Sequence, residues 1–434
     1  MNYIIFFIFQ VIIVLTIYYQ FDENLDPEVR AAIDYHPKQI PNEQNAYISM
    51  LGIYASHASS PFQHGSSIIK NAELNYERNN LTAIMVSIED TPNIFKMDVY
   101  SSDDSICRMP DKSCLSTVRK NRKKIVNVLS KNRVLLNRLD SIYDYQQFQE
   151  SKYFLGFSQI IILHRTYLAS LALSWLEGNK LQTISSVNRS IQFWRMVSKS
   201  EVSLLTRMIA IANLGYSYEL LSEFIADCGK CESYYGSILG ILKPVISKEE
   251  LSMRKVTRRE FLEIRRLTEI ELNKALDLNS FLVVVYHMIF KKNSMDNKLF
   301  SVYNNMALLS ECSLKSIISC HSEHIDRNNQ KIKFLSLGFA DDPLGTIVSE
   351  IARPAYISYP WTMFRIEAKR RLLIIKLQLG MNEININEID EFLSRLPKEL
   401  KSPFSGTNIE FKKGKNQLQI DCGKEIDEVL SVSL

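Results

Sequence analysis

The stretch Leu171-Ala-Leu-Ser-Trp-Leu-Glu-Gly-Asn-Lys-Leu-Gln182 decides the fold. Apolar residues approach it at three- and four-residue steps, Gly178-Asn179 interrupts them, and the same periodicity resumes at Leu181. Gly suits a position just past a helix, where the backbone turns left-handed. The spacing predicts a helix over 160–177, a tight turn and a second helix over 181–197. A third follows over 202–226, with Ser200 as its expected N-cap. Connections this short force neighbouring helices to run antiparallel, so the middle of the chain reads as stacked helical hairpins. The 171–182 turn is tetratricopeptide-like, but no period of about 34 residues accompanies it.

On the N-terminal side, Val118, Ile125, Val128, Leu129, Leu135, Leu136, Leu139 and Ile142 continue the helical spacing. The opposite face carries Arg119, Lys120, Arg122, Lys123 and Lys124. This reads as a solvated face and not a nucleic-acid surface, because no aromatic residues interleave the run. The formal net charge of only +4 agrees. Further upstream, 45–52 reads as a short apolar helix ended by Gly52, and 83–100 as extended chain.

On the C-terminal side, Ser247-Lys-Glu-Glu250 is a capping box opening a helix of mixed charge. Leu372-Leu-Ile-Ile375 predicts a helix buried at the centre of the fold. Beyond Gly380 the character changes: a short helix over 388–396 stops at Pro397, and Ser402-Pro-Phe-Ser-Gly406 makes a turn. The segments 409–411 and 418–420 then suggest a small hairpin. The chain has 14 Gly and 12 Pro in 434 residues, roughly half the usual share of ~12%, which also favours long helices.

The N-terminus differs in kind. No charge occurs before Asp22, and from Tyr3 to Tyr19 only Gln10 and Thr16 break an apolar run. A helix of that length reaches roughly 25 Å, enough for a bilayer core. No basic n-region precedes it and no small-residue cleavage site follows, so an uncleaved anchor is expected ahead of a signal peptide or a buried helix. Flanking charge does not set the direction of insertion.

The expected fold is thus mainly α: stacked antiparallel hairpins, tetratricopeptide-like in part, behind one N-terminal transmembrane helix, with a small C-terminal α+β lobe. The expected division is a membrane anchor at 1–21, a juxtamembrane and irregular lobe at 22–114, a helical domain at 115–385 and the small lobe at 386–434.

The seven cysteines bear on compartment and chemistry. Six fall in local pairs, Cys107/Cys114, Cys228/Cys231 and Cys312/Cys320, which suggests short-loop disulfides on an oxidising side of the membrane. Cys228-Gly-Lys-Cys231 has the form of a redox motif, but it follows an apolar-periodic helix, and the C-terminal end of a helix dipole disfavours a thiolate. Cys312, Cys320, His321 and His324 together offer a possible Zn²⁺ ligand set, although their spacing fits no finger pattern. His57 and His64, near Ser66 and Ser67, are the other possible catalytic neighbours, with nothing to orient them as a triad. Phosphate-binding loops, nucleophile elbows and the metalloprotease helix motif are absent, and no cofactor is implied.

Several segments resemble an uncharacterised family of proteobacterial proteins with one N-terminal membrane segment and a helical body. They are Asn45-Ala-Tyr47 and Leu51-Gly52 with Pro61 and Gly65, the Cys107/Cys114 loop, Leu135-Leu-Asn-Arg-Leu139 and Tyr143-Asp-Tyr-Gln-Gln-Phe148. Leu176-Glu-Gly178, Trp194-Arg195, Arg207-Met-Ile-Ala210, Asp342-Pro-Leu-Gly345 and Ser402-Pro-Phe-Ser-Gly406 complete the set. The match departs at Asn293–Asn297, where Lys292 stands in place of a proline. The resemblance implies a body on the periplasmic face of the bacterial inner membrane, against the alternative of a cytoplasmic body. It implies no activity and no catalytic residues. The expectation is a non-enzymatic binding or scaffolding protein of the envelope, tethered through Tyr3–Tyr19 and holding a protein partner, not nucleic acid. The alternative is a periplasmic enzyme or metal-binding protein using Cys312, Cys320, His321 and His324.

Overall fold

A computed structural model describes residues 22–56, 59–79, 107, 113–151, 158–228, 232–278, 291–311, 359–422 and 429–434. The apolar run from Tyr3 to Tyr19 and the 83–100 segment lie outside these. Among the described residues no helix is long and apolar enough to cross a membrane.

The chain is mainly helical. Its first helices are α1 (Pro27–Ile33), α2 (Ala46–Leu51), α3 (Pro61–Asn79), α4 (Cys114–Lys120), α5 (Arg122–Lys131) and α6 (Arg133–Ile142). The long central ones follow: α7 (Ser158–Leu176), α8 (Lys180–Lys199) and α9 (Leu204–Asp227). Then come α10 (Glu232–Leu242), α11 (Lys248–Leu251), α12 (Arg254–Leu278), α13 (Lys292–Glu311), α14 (Pro360–Met381) and α15 (Ile389–Ser394). A small sheet closes the chain, with β1 (Glu410–Lys412), β2 (Gln417–Asp421) and β3 (Val429–Ser433) in antiparallel order β1-β2-β3.

Two compact units divide these elements. The first contains the described residues up to Pro37 and those from Ser252 to Pro360; the second contains 38–251 and 361–434.

In the second unit, α7, α8 and α9 pack on one another. Gly178 ends α7 with φ +93°, and the Asn179 N–H returns to the Ser174 carbonyl at 3.1 Å, so the predicted turn is a Schellman-type stop. One cap differs from expectation. Ser203, not Ser200, caps α9: its hydroxyl accepts from Thr206 N at 3.3 Å, whereas Ser200 ends α8. Glu150 decides between the two serines, because its carboxylate accepts from both the Ser203 N–H (2.5 Å) and its hydroxyl (3.0 Å). The periodic run from Ser116 to Ile142 is broken at Asn121 and Asn132 into α4, α5 and α6.

Helix α14 is buried on every side between Ile366 and Leu377, as Leu372-Leu-Ile-Ile375 predicts. In the sheet Leu418, Ile420 and Val432 turn inward, which is the period-two alternation of a half-buried ladder. The first two strands sit where the sequence places the hairpin; the third, β3, was not expected.

In the first unit α1, α12 and α13 pack together. Asp22 caps α13, accepting from Asn293 N at 2.6 Å and Ser294 N at 3.1 Å. Asn297, one turn on, donates to Glu23 Oε1 (2.7 Å) and the Asn24 carbonyl (3.0 Å) and accepts from Asp26 N (2.9 Å). The residues just beyond the apolar segment are thereby clasped to α13. Inside the unit Arg265 Nε donates to the buried Asp296 carboxylate at 2.9 Å, and Arg258 lies over the Tyr35 ring.

Candidate functional site

Cys107 and Cys114 form a disulfide with Cα atoms 4.6 Å apart, and both residues are buried. Cys114 opens α4, whose first N–H groups need acceptors. Glu223 of α9 supplies them, accepting from Cys114 N (2.8 Å) and Leu115 N (2.7 Å). Cys228 caps the end of α9 and is disulfide-bonded. Cys231, Cys312, Cys320, His321, His324 and His57 lie outside the described residues. Among the described residues no group of three His, Cys, Asp or Glu side chains is placed to hold a metal.

His64 lies on α3 without a hydrogen-bond partner at its buried Nε2. Burial, and then the nearby Arg138 guanidinium, hold its imidazole below the ordinary histidine range. Ser66 turns its hydroxyl back to the Phe62 carbonyl at 2.8 Å, so the pair makes no nucleophile–base contact. Arg138 itself fixes the 53–56 chain by donating to the carbonyls of Ile53 (3.0 Å), Ala55 (2.5 Å) and Ser56 (3.0 Å).

A second histidine, His164, is fully enclosed among α6, α7, α8 and α9. Tyr143 Oη lies 2.6 Å from its Nδ1, and its Nε2 lies 3.1 Å from the Asn213 carbonyl. A carbonyl only accepts, so Nε2 carries the proton and Nδ1 accepts from the tyrosine. Burial drives the imidazole down to about 3, against the opposite pull of the Asn213 carbonyl. Tyr143 and Trp194 lie against it with ring centroids 6.1 and 5.7 Å away, and Tyr167 and Phe193 in turn pack on Tyr143 at 5.2 Å. Wholly buried, the imidazole joins the end of α6 to α7 and α9.

Charged groups are also buried in numbers unusual for a core. Arg195 donates to both oxygens of Glu250 (2.6 and 3.0 Å) and to the Pro244 and Val245 carbonyls (3.0 and 2.9 Å). Arg207 reaches the carbonyls of Ser198 (2.8 Å) and Glu250 (2.5 Å). On α14, Glu367 binds Arg370 and Arg371, each through a contact of 2.7 Å, and Lys369 pairs with Glu219 at 2.6 Å. These pairs fasten the helices to the loops that join them.

Comparison with protein-family models, curated proteins and solved structures finds no match.

What remains is a concave site in the second unit. A cavity of about 340 Å³ is lined by Ile225 and Ala226 of α9, Tyr235 of α10, Lys376, Leu377 and Leu379 of α14, and the chain from Met381 to Ile389, with Asn416 and Leu434 at one side. Its size is at the lower end of small-molecule sites. Lys376 is the buried cation among its walls, 7% exposed, and its Nζ approaches the Ser222 carbonyl at 3.4 Å. Burial, and then the like charge of Lys369, push the amine down to about 8. Sequence reading found the run Leu372–Ile375 but passed over the lysine that ends it. A cation directly following four consecutive apolar residues in a central helix was the available signal.

Proposed function

We propose that this protein is a membrane-tethered, non-enzymatic helical component of the bacterial envelope. Its body stands on the periplasmic face of the inner membrane and binds or positions a protein partner. The observation that carries this reading is the Cys107–Cys114 disulfide, which ties the N-terminus of a helix inside the folded body. Structural disulfides persist in oxidising compartments and are rare in the cytosol. The bonded state of Cys228 supports the same assignment.

The uncharged run from Tyr3 to Tyr19 supplies the tether. Its exit favours this role, because Asn293 and Asn297 clasp Asp22, Glu23 and Asn24 to α13. A tether leaving from a folded helix holds the first unit close to the membrane. The central hairpins, tetratricopeptide-like at 171–182, offer helix faces of the kind that repeat proteins turn to partners. The family resemblance points in the same direction.

Paired fusions of alkaline phosphatase and a fluorescent protein after Leu434 test the reading. An active phosphatase and a dark fluorescent protein are expected; the reverse pattern places the body in the cytoplasm and overturns it. Alkylation of intact cells before lysis adds a second readout, in which Cys107 and Cys114 stay unmodified until reductant is added.

A further inference from the structure

We propose that the cavity between α9, α10, α14 and the C-terminal lobe is a binding site for a small apolar carboxylate. The acid head would meet Lys376 Nζ, and the tail would lie against Ile225, Leu379, Ile384 and Ile389.

Three observations converge on this. The first is the state of the lysine. Helix α14 carries other buried cations, and Lys369, Arg370 and Arg371 each hold a carboxylate at 2.6 or 2.7 Å. Lys376 has no carboxylate within 4.0 Å among the described residues, the chain terminus at Leu434 included; a carbonyl at 3.4 Å is its contact. An ammonium held in an apolar wall is costly without an opposite charge.

The second is that the neighbouring negative charges, Glu219 and Glu223, act on Lys376 only through space and make their direct contacts elsewhere. Glu219 pairs with Lys369 at 2.6 Å, and Glu223 is spent on the N-terminus of α4 through Cys114 N, Leu115 N and the Ser113 hydroxyl. Glu232 and Glu383 also line the cavity, but they are exposed at its rim, where water and salt screen them. The cavity wall therefore carries one buried cation among apolar residues, and an incoming carboxylate supplies the missing charge.

The third is backbone strain. Among the described residues only Glu383 and Asn416 combine a side chain with positive φ, both at +48°, and both line this cavity. Left-handed backbone in a glutamate is costly, and such costs collect at ligand sites. A bidentate anion at Lys376 and a chain of several carbons along Leu379 and Ile389 account for the charge, the apolar wall and the place of the strain together.

The test uses the full-length protein in nanodiscs with three probes of one shape: 4-phenylbutyrate, 4-phenylbutanol and 4-phenylbutylamine. Titration calorimetry at pH 7 is expected to give saturable binding of the acid at least tenfold tighter than that of the alcohol or the amine. Lys376→Met should reduce the acid to the level of the alcohol. The acid's affinity should fall about tenfold between pH 7 and pH 9 in the wild type, as an amine near 8 loses its proton, and stay flat in K376M. Ile384→Trp, which fills the cavity and leaves the lysine in place, should abolish binding of all three. The proposal is overturned if the acid fails to saturate, if the alcohol or amine binds as tightly, or if K376M keeps the acid's affinity and pH dependence. Melting curves that match the wild type show that either variant is folded.

Discussion

Gly52 and Gly65 meet backbone to backbone where α2 crosses α3. A methyl group on Gly65 would lie 1.8 Å from the Ile48 carbonyl oxygen, and one on Gly52 would lie 1.8 Å from that of Pro61. Neither oxygen belongs to a side chain that can swing aside, so any other residue forces the helices apart. Gly65→Ala is expected to destabilise the protein by about 3 kcal/mol or more, at the upper end of overpacking costs. Gly236→Ala is the control, since nothing lies within 4 Å of its added carbon. There the gain in helix propensity should stabilise by up to about 1 kcal/mol. Urea unfolding of both variants decides the point, and equal midpoints would leave the close crossing without consequence.

That crossing also marks how much the sequence discloses. The pair Gly52 and Gly65 is visible as residues, but the reason for them is a contact between separate helices. The turn at Gly178 was legible because one residue with one backbone requirement carries it. The cap of α9 was not, because Ser200 and Ser203 are chemically equal and Glu150, far off in the chain, chooses between them. The breaks at Asn121 and Asn132 had a local signal in two poor helix formers. Lys376 reads as an ordinary lysine in sequence; only the packing of α9, α10 and the C-terminal lobe around it makes it a site. In the first unit, α1 packs on α12 and α13 across more than two hundred residues of chain, and no periodicity announces such a pairing.

His164 should make the protein acid-sensitive in a range where carboxylates are still ionised. Its folded value of about 3 lies below the ordinary ~6.5 of an unfolded chain. Between the two, the unfolded state takes up a proton that the folded state refuses. Stability therefore falls as pH drops below ~6.5, by up to about 1.4 kcal/mol per unit. His164→Gln should flatten that slope between pH 6.5 and 5, even though it lowers stability at pH 7 by disturbing the Tyr143 contact. Superimposable slopes in denaturant titrations would assign the acid sensitivity to other groups.

The Cys107–Cys114 disulfide closes a short loop at the start of α4. In the chain-entropy account a loop of this size is worth about 2.5 kcal/mol. Cys107→Ser with Cys114→Ser is expected to lower stability by that order. Reductant should cost the wild type more than the double variant by that amount, since in the variant the Cys228 bond is still there to be reduced. Because Glu223 still caps α4, circular dichroism should show its helix content retained. A loss of helix on reduction would mean that the bond, and not the glutamate, nucleates α4.

Arg195 and Glu250 unite a capping box with the core. Glu250 accepts from Ser247 N at 2.7 Å, as the N3 residue of a capping box does, and the same carboxylate takes Arg195 from α8. Both side chains are almost wholly enclosed, with exposures of 9% and 5%, so neither charge has water to fall back on. Removing one partner of a buried pair typically costs 3–5 kcal/mol, about what Glu250→Gln should cost at pH 7. Burial alone would raise the Glu250 carboxyl, but Arg195 and the Ser247 N–H outweigh it and leave the group below its usual range. A depressed acid stabilises the fold above its unfolded value of ~4.3, and that contribution is lost as pH falls through the folded value. The advantage of the wild type over E250Q should therefore begin to shrink as pH falls past the unfolded value of ~4.3 and disappear below the folded one. Arg195→Met with Glu250→Leu, which removes both charges, should be less damaging than E250Q alone, since no buried charge is left unpaired. If the double variant is the worse of the two, the pair stabilises the fold by more than mutual neutralisation, and its four hydrogen bonds to the 244–250 segment become the stronger explanation.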